Sequence, residues 1–280
     1  MAGSIALATP LVAGATSASA PVFYLDIGAS ASVGVQPSAH APQGQRTNEG
    51  YSNDLVALEA ARGLNLQLTE IGCPGETTTT MLYGGDHCYQ SPSTQLGAAI
   101  AFLKSHHHQT GLVTLDLGFN DLLTCIDQMT IDTTCVRGQI ASLATHLPSI
   151  LSALKNAAGP DVLFVGLDHY NPYLARSIFG SQYTTFATTS AGMINDLNAT
   201  LQSAYTSYSI PTANVAGHFR VRDNGRTHLN GVGTVSDNVA RICALTWMCR
   251  MSHYGPNFHP NDAGYRAIAA AVDALLPRVW

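Results

Sequence analysis

The stretch VFYLDIGAS, residues 22–30, changes character abruptly at Gly28. An apolar run from Val22 to Ile27 stops at this glycine, and Ser30 follows in a turn of small residues. Glycine tolerates unusual backbone angles and serine hydrogen-bonds nearby backbone, so both residues favour turns. The stretch therefore predicts a buried strand that ends in a tight turn. Ser30 is either an ordinary turn residue or a nucleophile at the carboxyl end of that strand.

Similar apolar runs recur along the chain and alternate with helical patterns. The candidate strands are 22–28, 66–72, 112–118, 161–167 and 213–218. The candidate helices lie near 50–63, 93–107, 137–158 and 184–207, and from Asp262 to Leu276. Near-continuous apolar strands separated by helices predict an α/β fold with a five-stranded parallel sheet and helices on both faces. Pro148 interrupts the third helical pattern, which predicts a kink or a break there.

The first three predicted strands all run into polar turns. These turns are Gly28-Ala-Ser30, Gly72-Cys-Pro-Gly75 and Gly118-Phe-Asn-Asp121. In an open parallel sheet the carboxyl ends of the strands meet at one edge, where ligands bind. We therefore expect a serine hydroxyl, a glycine backbone amide and an asparagine side chain to converge from separate turns.

Composition narrows the range of partners and the location of the protein. The chain has 280 residues, of which 46% are hydrophobic and only 11% charged, with a net charge of −5. These values favour one large domain over residues 21–280, expected to be a monomer, and disfavour nucleic acid or an anionic membrane as a partner. Residues 1–20 are apolar and small, end in Ala-x-Ala and predict a signal peptide, although the usual basic start is missing. No other run is long enough to span a membrane, so a secreted protein is expected.

The six cysteines fit an exported protein, in which disulfides are common. They are Cys73, Cys88, Cys125, Cys135, Cys243 and Cys249. Six cysteines allow fifteen pairings. Neighbour pairing is our prediction because each such bond closes a short loop between predicted elements; free buried thiols are the alternative.

Four motifs resemble the conserved blocks of the GDSL/SGNH esterases and lipases, in that family's order over residues 22–276. The motifs are Gly28-Ala-Ser30-Ala-Ser32, Gly75 in Cys-Pro-Gly-Glu-Thr-Thr, Gly118-Phe-Asn120-Asp121 and His259-Pro-Asn261. This resemblance implies a flavodoxin-like three-layer α/β/α fold. It also implies hydrolysis of carboxylic esters through an acyl-enzyme, with no metal and no cofactor.

The resemblance also implies a role for each matching residue. Ser30 would be the nucleophile, and His259 the general base and then the acid for the leaving alcohol. The Ser30 amide, the Gly75 amide and the Asn120 side chain would form the oxyanion hole, with Gly72 as the alternative glycine donor. These residue types suit the chemistry, because a serine hydroxyl needs an adjacent base and the tetrahedral intermediate needs fixed donors.

Two positions depart from the family pattern. Ala29 stands where an aspartate usually precedes the serine, which removes a polar group that could brace the turn. Pro256 stands where an aspartate usually orients the histidine, so a Ser–His dyad is expected. Three substitutes could orient the ring of His259: a main-chain carbonyl from 253–257, the Asn257 side chain or Asp262. We expect Asp262 to be a cap or first-turn residue of the last helix.

Several functions remain open on the same motifs. A carbohydrate deacetylase or acyltransferase would use the same site, and a catalytically silent relative would bind a glycan or lipid. An α/β-hydrolase is disfavoured because the chain has no Gly-x-Ser-x-Gly elbow. The expected substrate is a small-molecule, lipid or glycan ester. The connections 76–92, 121–136, 168–183 and 219–258 are expected to shape its pocket, with Tyr170, Tyr173 and Phe179 as candidate lining residues or as core aromatics.

The remaining polar features are interpreted as structural. Asp26 and Asp116 interrupt apolar runs, and we expect them to bond each other or the backbone. Ser32 is expected to serve the turn. The run His106–His108 cannot place three rings on one helical face, which disfavours a metal site. Asn198-Ala-Thr200 matches a glycosylation sequon, a three-residue pattern that carries little information.

Overall fold

A five-stranded parallel sheet forms the centre of the molecule. Its strands are numbered along the chain and lie side by side in the order β2-β1-β3-β4-β5. The computed structural model describes residues 21–251, 254–278 and 280, so the predicted signal segment 1–20 lies outside the described residues. The strands are β1 Val22–Gly28, β2 Leu66–Glu70, β3 Gly111–Asp116, β4 Val162–Leu167 and β5 Thr212–Ala213. A separate antiparallel hairpin consists of β6 Arg226–Leu229 and β7 Gly233–Ser236.

Helices cover both faces of the sheet and produce the three-layer α/β architecture. They are α1 Tyr51–Ala60, α2 Thr78–Tyr83, α3 Gln95–Ser105, α4 Thr133–Ala157, α5 Thr184–Ser207, α6 Val215–His218, α7 Asp237–Leu245 and α8 Asp262–Asp273. One group forms around α8, which contacts α1, α6 and α7, and another around α4, which contacts α2, α3 and α5. Every residue of β1 and β3 is buried, as the continuous apolar runs predicted for strands covered on both faces.

Two sequence-based boundaries are wrong, each for a local reason. The predicted strand 213–218 is a strand only over Thr212–Ala213, because the side chain of Asn214 accepts a hydrogen bond from the Gly217 amide and begins helix α6. Helix α4 continues through Pro148 without a break. The carbonyl of Ala144, which loses its partner there, belongs to an exposed residue where water can replace the bond.

The cysteines are paired as neighbours along the chain, which confirms the predicted pairing. The disulfides join Cys73 to Cys88, Cys125 to Cys135 and Cys243 to Cys249. The predicted connections 76–92 and 219–258 also contain short elements that the sequence pattern did not reveal, namely α2, the β6–β7 hairpin and α7. Among the described residues, no helix has both the length and the apolar character that crossing a bilayer requires.

Asp26 is fully buried inside the sheet, and side chains rather than backbone bond its Oδ1, while its Oδ2 has no hydrogen-bond partner among the described residues. Tyr51 donates a hydrogen bond of 2.6 Å to Oδ1 of Asp26, and Thr114 donates one of 2.8 Å to the same atom. Burial raises the pKa of Asp26 well above its usual range, although the two hydroxyl donors act in the opposite direction. The expectation that Asp26 would bond backbone or Asp116 is therefore wrong.

Candidate active site

The turn that carries Ser30 depends on close contact between the ends of β1 and β3. Gly28 has φ of 147°, and a Cβ there would lie 2.3 Å from the carbonyl oxygen of Asp116. The Ala29 amide donates to that same carbonyl at 3.1 Å. Ser30 then precedes a 3-10 turn over Ala31–Val33 and is only partly buried. The serine therefore lies at the carboxyl edge of the sheet with a rigid strand behind it.

Beneath this turn, Asp116 is held by the backbone of the nucleophile segment. Burial raises the pKa of Asp116, while His169 and the backbone N–H groups of Ala29, Ser32 and Ala31 favour its ionised form and lower it. The main-chain carbonyl of Asp116 accepts the Ala29 amide, and its carboxylate lies 3.8 Å from Nδ1 of His169; the backbone bonding expected of the carboxylate stays a prediction.

Asn120 begins a 3-10 helix immediately after β3 and is buried. Its Nδ2 donates a hydrogen bond of 3.1 Å to the backbone carbonyl of Glu76, next to Gly75. Asp121 reaches the same segment, because its carboxylate accepts bonds from the Thr78 amide and the Thr78 hydroxyl. The second and third family motifs are thus bonded directly to each other.

The two candidate glycine donors lie in different surroundings. Gly75 is exposed and left-handed, with φ of 86°, and no side chain packs where its Cβ would be. Gly72 is buried, and a Cβ there would lie 1.9 Å from the hydroxyl oxygen of Ser32. Within the part of the chain described, neither the Gly75 amide nor the Ser30 amide has a hydrogen-bond partner. Packing therefore excludes a side chain at Gly72, whereas the surroundings of Gly75 are open.

His259 is buried, and its ring is oriented by the side chain of Asn257. The Oδ1 of Asn257 lies 2.7 Å from Nδ1 of His259 and also accepts the His259 backbone N–H at 2.9 Å. The Nδ2 of Asn257 donates to the carbonyls of Pro42 and Gln43, both at 3.2 Å. These two donations fix which way the amide faces, so Oδ1 must accept and Nδ1 must carry the ring proton. The neutral ring of His259 is therefore the tautomer with a bare Nε2.

The other candidate for orienting His259 is occupied elsewhere. Asp262 is the first residue of α8, after the cap residue Asn261, and its Oδ1 accepts a bond of 2.8 Å from Gln36. This agrees with the first-turn role expected for Asp262. The loop before the histidine is further held by Tyr170, whose hydroxyl donates to the Phe258 carbonyl at 2.7 Å.

Burial without a neighbouring carboxylate makes the imidazole weakly basic. Desolvation lowers the pKa of His259 to about 4. The neutral ring is therefore the dominant form at neutral pH, and a neutral ring is what a general base requires.

Ser30, Asn120 and His259 line one pocket at the carboxyl edge of the sheet. The other lining residues are mostly apolar or aromatic and are Ala29, Ala31, Asp116, Phe119, Leu167, Asp168, His169, Tyr170, Val215, Phe258, Pro260 and Ile268. Gly75 is not among the lining residues, and the side chains of Ser30 and His259 share the pocket without a hydrogen bond to each other. Such bonds often tighten only when substrate is bound. Of the three candidate aromatics, Tyr170 lines this pocket, whereas Tyr173 is buried and stacks on Phe119.

The sequence between residues 27 and 267 matches the model of the GDSL-like Lipase/Acylhydrolase family. This match spans most of the chain and includes all four motifs. The chain belongs to this family. A search among curated proteins finds no match.

Solved structures show that this member of the family shares its fold with a phospholipase, an extracellular lipase and an acetyl xylan esterase. Phospholipase A1 from Streptomyces albidoflavus is 17% identical with a TM-score of 0.62, covering 91% of this chain and 99% of that one. The extracellular lipase from Streptomyces rimosus is 17% identical with a TM-score of 0.57, covering 91% and 100%. An acetyl xylan esterase from Geobacillus stearothermophilus is 15% identical with a TM-score of 0.51, covering 90% and 92%. At these identities the likeness concerns the fold alone.

Two other polar features of this GDSL-like hydrolase have local partners. His106 ends α3, stacks on Phe102 with ring centroids 4.0 Å apart and bonds the Phe102 carbonyl, while the next two histidines are exposed. Asn198 in the sequon bonds both the amide and the carbonyl of His169, each at 2.8 Å. Its side-chain nitrogen is therefore engaged within the protein.

Sequence reasoning left one part of the site unassigned. Gln95, at the start of α3, bonds both backbone groups of Gly28 and the carboxyl of Glu76. No motif marks this glutamine, since its partners are distant in sequence. The only local signal was a glutamate, Glu76, within an otherwise small and polar turn.

Proposed function

We propose that the chain is a secreted carboxylic-ester hydrolase that works through an acyl-enzyme on Ser30. The observation that carries the proposal is the fixed orientation of His259. Asn257 holds the proton on Nδ1 and leaves Nε2 bare in the pocket that Ser30 also lines. A weak nucleophile and a base of the correct tautomer thus share one cavity.

The proposed reaction has two halves. Nε2 of His259 takes the Ser30 proton as Oγ attacks the ester carbonyl, and the tetrahedral intermediate then collapses as the imidazolium protonates the leaving alcohol. Water, deprotonated by the same Nε2, attacks the acyl-enzyme and releases the carboxylic acid and Ser30. Family membership supports this sequence of steps, and no step needs a metal or cofactor.

The oxyanion of both intermediates would be met by three donors, namely the Ser30 amide, the Gly75 amide and Nδ2 of Asn120. Both amides are free of partners within the described chain. Asn120 uses one N–H for Glu76 and keeps the other for the oxyanion. A single donor of this kind is worth ~10²–10³ in rate. We expect Asn120→Ala to lower kcat by that factor with little change in KM.

The site differs from a triad in charge rather than in geometry. Asn257 accepts a hydrogen bond from the Nδ1–H of His259 as a carboxylate would, but it brings no negative charge to stabilise the imidazolium. The proposed catalyst is therefore a Ser–His pair oriented by an amide. The apolar pocket walls favour the acyl part of a lipid, glycan or small-molecule ester, and the three disulfides support secretion.

Hydrolysis of p-nitrophenyl acetate, butyrate and a longer ester by wild type and Ser30→Ala tests the proposal. We expect turnover by wild type, a loss of several orders of magnitude in the variant and no effect of EDTA. Folded wild type that hydrolyses none of the three esters would contradict the hydrolase and favour a silent glycan- or lipid-binding relative. Faster transfer of the acyl group to an added alcohol than to water would favour an acyltransferase.

A further inference from the structure

A buried side-chain amide joins the nucleophile turn to the oxyanion segment. Oε1 of Gln95 accepts the Gly28 amide at 2.9 Å, and Nε2 of Gln95 donates to the Gly28 carbonyl at 2.9 Å. The same Nε2 also donates to Oε2 of Glu76 at 2.7 Å. Both side chains are fully buried. Gly28 lies two residues before Ser30, so this amide holds the backbone from which the nucleophile extends.

Glu76 connects this amide to the oxyanion donors. The backbone carbonyl of Glu76 accepts a hydrogen bond from Nδ2 of Asn120, and Glu76 directly follows Gly75 in the chain. Its other carboxyl oxygen accepts the Thr80 hydroxyl at 2.5 Å, which ties the carboxyl to α2. The strand end before Ser30 is therefore bonded through Gln95 to the side chain of Glu76, and Asn120 is bonded to the backbone carbonyl of the same glutamate.

Local sequence gives a reason for such a connection. The position before Ser30 is Ala29, whose methyl group cannot hydrogen-bond, so the turn has no polar side chain of its own at that point. Ser32 bonds only within the turn, to the Ala29 carbonyl at 2.7 Å. The bonds that hold the turn against the Gly75 segment include the Cys73 amide to the Gly28 carbonyl, at 3.0 Å, and those of Gln95.

We propose that Gln95 and Glu76 are positioning residues that hold Ser30 in register with the oxyanion donors Gly75 and Asn120. This inference rests on the proposed function. Neither residue lines the pocket. Gln95 acts through the Gly28 backbone that it bonds, and Glu76 acts through Gln95. Displacement of a reacting group by about 1 Å can cost ~10²-fold in rate, so loss of these bonds should lower turnover rather than substrate binding.

The test compares Gln95→Leu, Gln95→Glu, Glu76→Leu and Glu76→Gln in the full chain. Glutamine at 76 keeps an oxygen for Gln95 and a polar group for Thr80, so it is the matched conservative variant. Gln202→Leu, an exposed glutamine on α5, controls for the substitution itself. Three quantities are measured: kcat and KM for p-nitrophenyl acetate, the rate at which a p-nitrophenyl phosphonate modifies Ser30, and the thermal unfolding midpoint.

We expect Gln95→Leu and Glu76→Leu to lose roughly 10- to 100-fold in kcat and in phosphonylation rate, with KM within about threefold. Glu76→Gln and Gln202→Leu should stay close to wild type. A merely stabilising role would lower the unfolding midpoint and leave kcat per titrated active site unchanged, and that result would overturn the proposal. If Gln95→Leu does not fold, the isosteric Gln95→Glu decides, because it loses the donor to Gly28 and Glu76; wild-type kcat in that variant would equally overturn it.

The failure of this inference can be told apart from failure of the hydrolase. Active wild type, inactive Ser30→Ala and unimpaired Gln95 variants would overturn the positioning role alone. Wild type that neither hydrolyses the ester nor takes the phosphonate on Ser30 would overturn both.

Discussion

Asn257 performs with an uncharged amide the orienting part of a role that usually falls to a carboxylate. Its Oδ1 fixes the His259 tautomer, and its Nδ2 is itself held by two main-chain carbonyls. The amide can hold the ring but cannot neutralise the imidazolium that forms during catalysis. Orientation and charge stabilisation are therefore separable in this protein.

Replacing Asn257 with alanine should lower kcat by roughly 10- to 100-fold, since the ring loses the partner that fixes its proton on Nδ1. Asp262→Asn should cost less than about tenfold, because its oxygen can still accept from Gln36. A triad carboxylate changed to its amide costs about 10⁴. Steady-state kinetics on folded variants check both values. A 10⁴-fold loss in Asp262→Asn would make Asp262 the carboxylate that orients His259 and contradict the assignment of Asn257.

The burial of His259 predicts that activity persists to an unusually low pH. Because its pKa is about 4 and the neutral ring is the active form, kcat/KM should persist at pH 5 and decline only as the pH approaches 4. Asn257→Asp should move this decline in kcat/KM to higher pH, since a carboxylate stabilises the protonated ring. The measurement is kcat/KM against pH for both proteins. A decline in wild-type kcat/KM centred on the ordinary histidine pKa of 6.5 would show that burial does not set the pKa of His259.

At the scale of elements, the sequence predicted what depends on local pattern and missed what depends on distant contact. Four strands followed from apolar runs, because strands buried on both faces need apolar residues throughout. The predicted strand 213–218 was wrong because the side chain of Asn214 begins a helix there. Ser30, Asn120 and His259 followed from motifs. Gln95 did not, since its partner Gly28 belongs to a different element and no fixed spacing joins them.

The contact between Gly72 and the nucleophile turn gives a test of element packing. Gly72→Ala should destabilise the fold by about 1–3 kcal/mol, the usual cost of overpacking, because the new methyl group would meet the Ser32 hydroxyl. Adding Ser32→Ala should recover part of that loss by removing the oxygen. Denaturant unfolding of the two single variants and the double variant measures the coupling. Additive effects in the double variant would contradict the proposed contact.

At the scale of the whole molecule, several carboxyl groups are buried and have raised pKa values. Burial raises the pKa of Asp26, Asp121 and Asp168, and it raises the pKa of Glu76 to about 8, with Thr80 lowering it and the nearby Asp86 raising it. Such groups make folding depend on pH in the direction opposite to a salt-bridged carboxylate.

For Glu76 the direction of this dependence is determined by the two pKa values. Between its ordinary value of 4.5 and about 8, the unfolded chain releases the proton while the folded protein keeps it. The wild-type unfolding midpoint should therefore fall as pH rises from 5 to 8. Glu76→Gln should flatten this fall, whereas Glu49→Gln, at an exposed carboxyl, should not. Thermal unfolding of the three proteins at pH 5 and pH 8 is the check. An equal fall in wild type and Glu76→Gln would assign the effect to other groups.

The proposed nucleophile and base come from distant parts of the chain, and hydrogen bonds between the segments around them hold those segments together. The backbone carbonyl of Val35 accepts a hydrogen bond of 2.8 Å from the Tyr265 hydroxyl, and the carbonyls of Pro42 and Gln43 accept hydrogen bonds from Nδ2 of Asn257. A ribosome that has already made Ser30 must therefore add almost all of the remaining described chain before His259 can meet it. Until then the emerging polypeptide holds the proposed nucleophile without the proposed base, so the order of synthesis itself delays completion of the proposed active site.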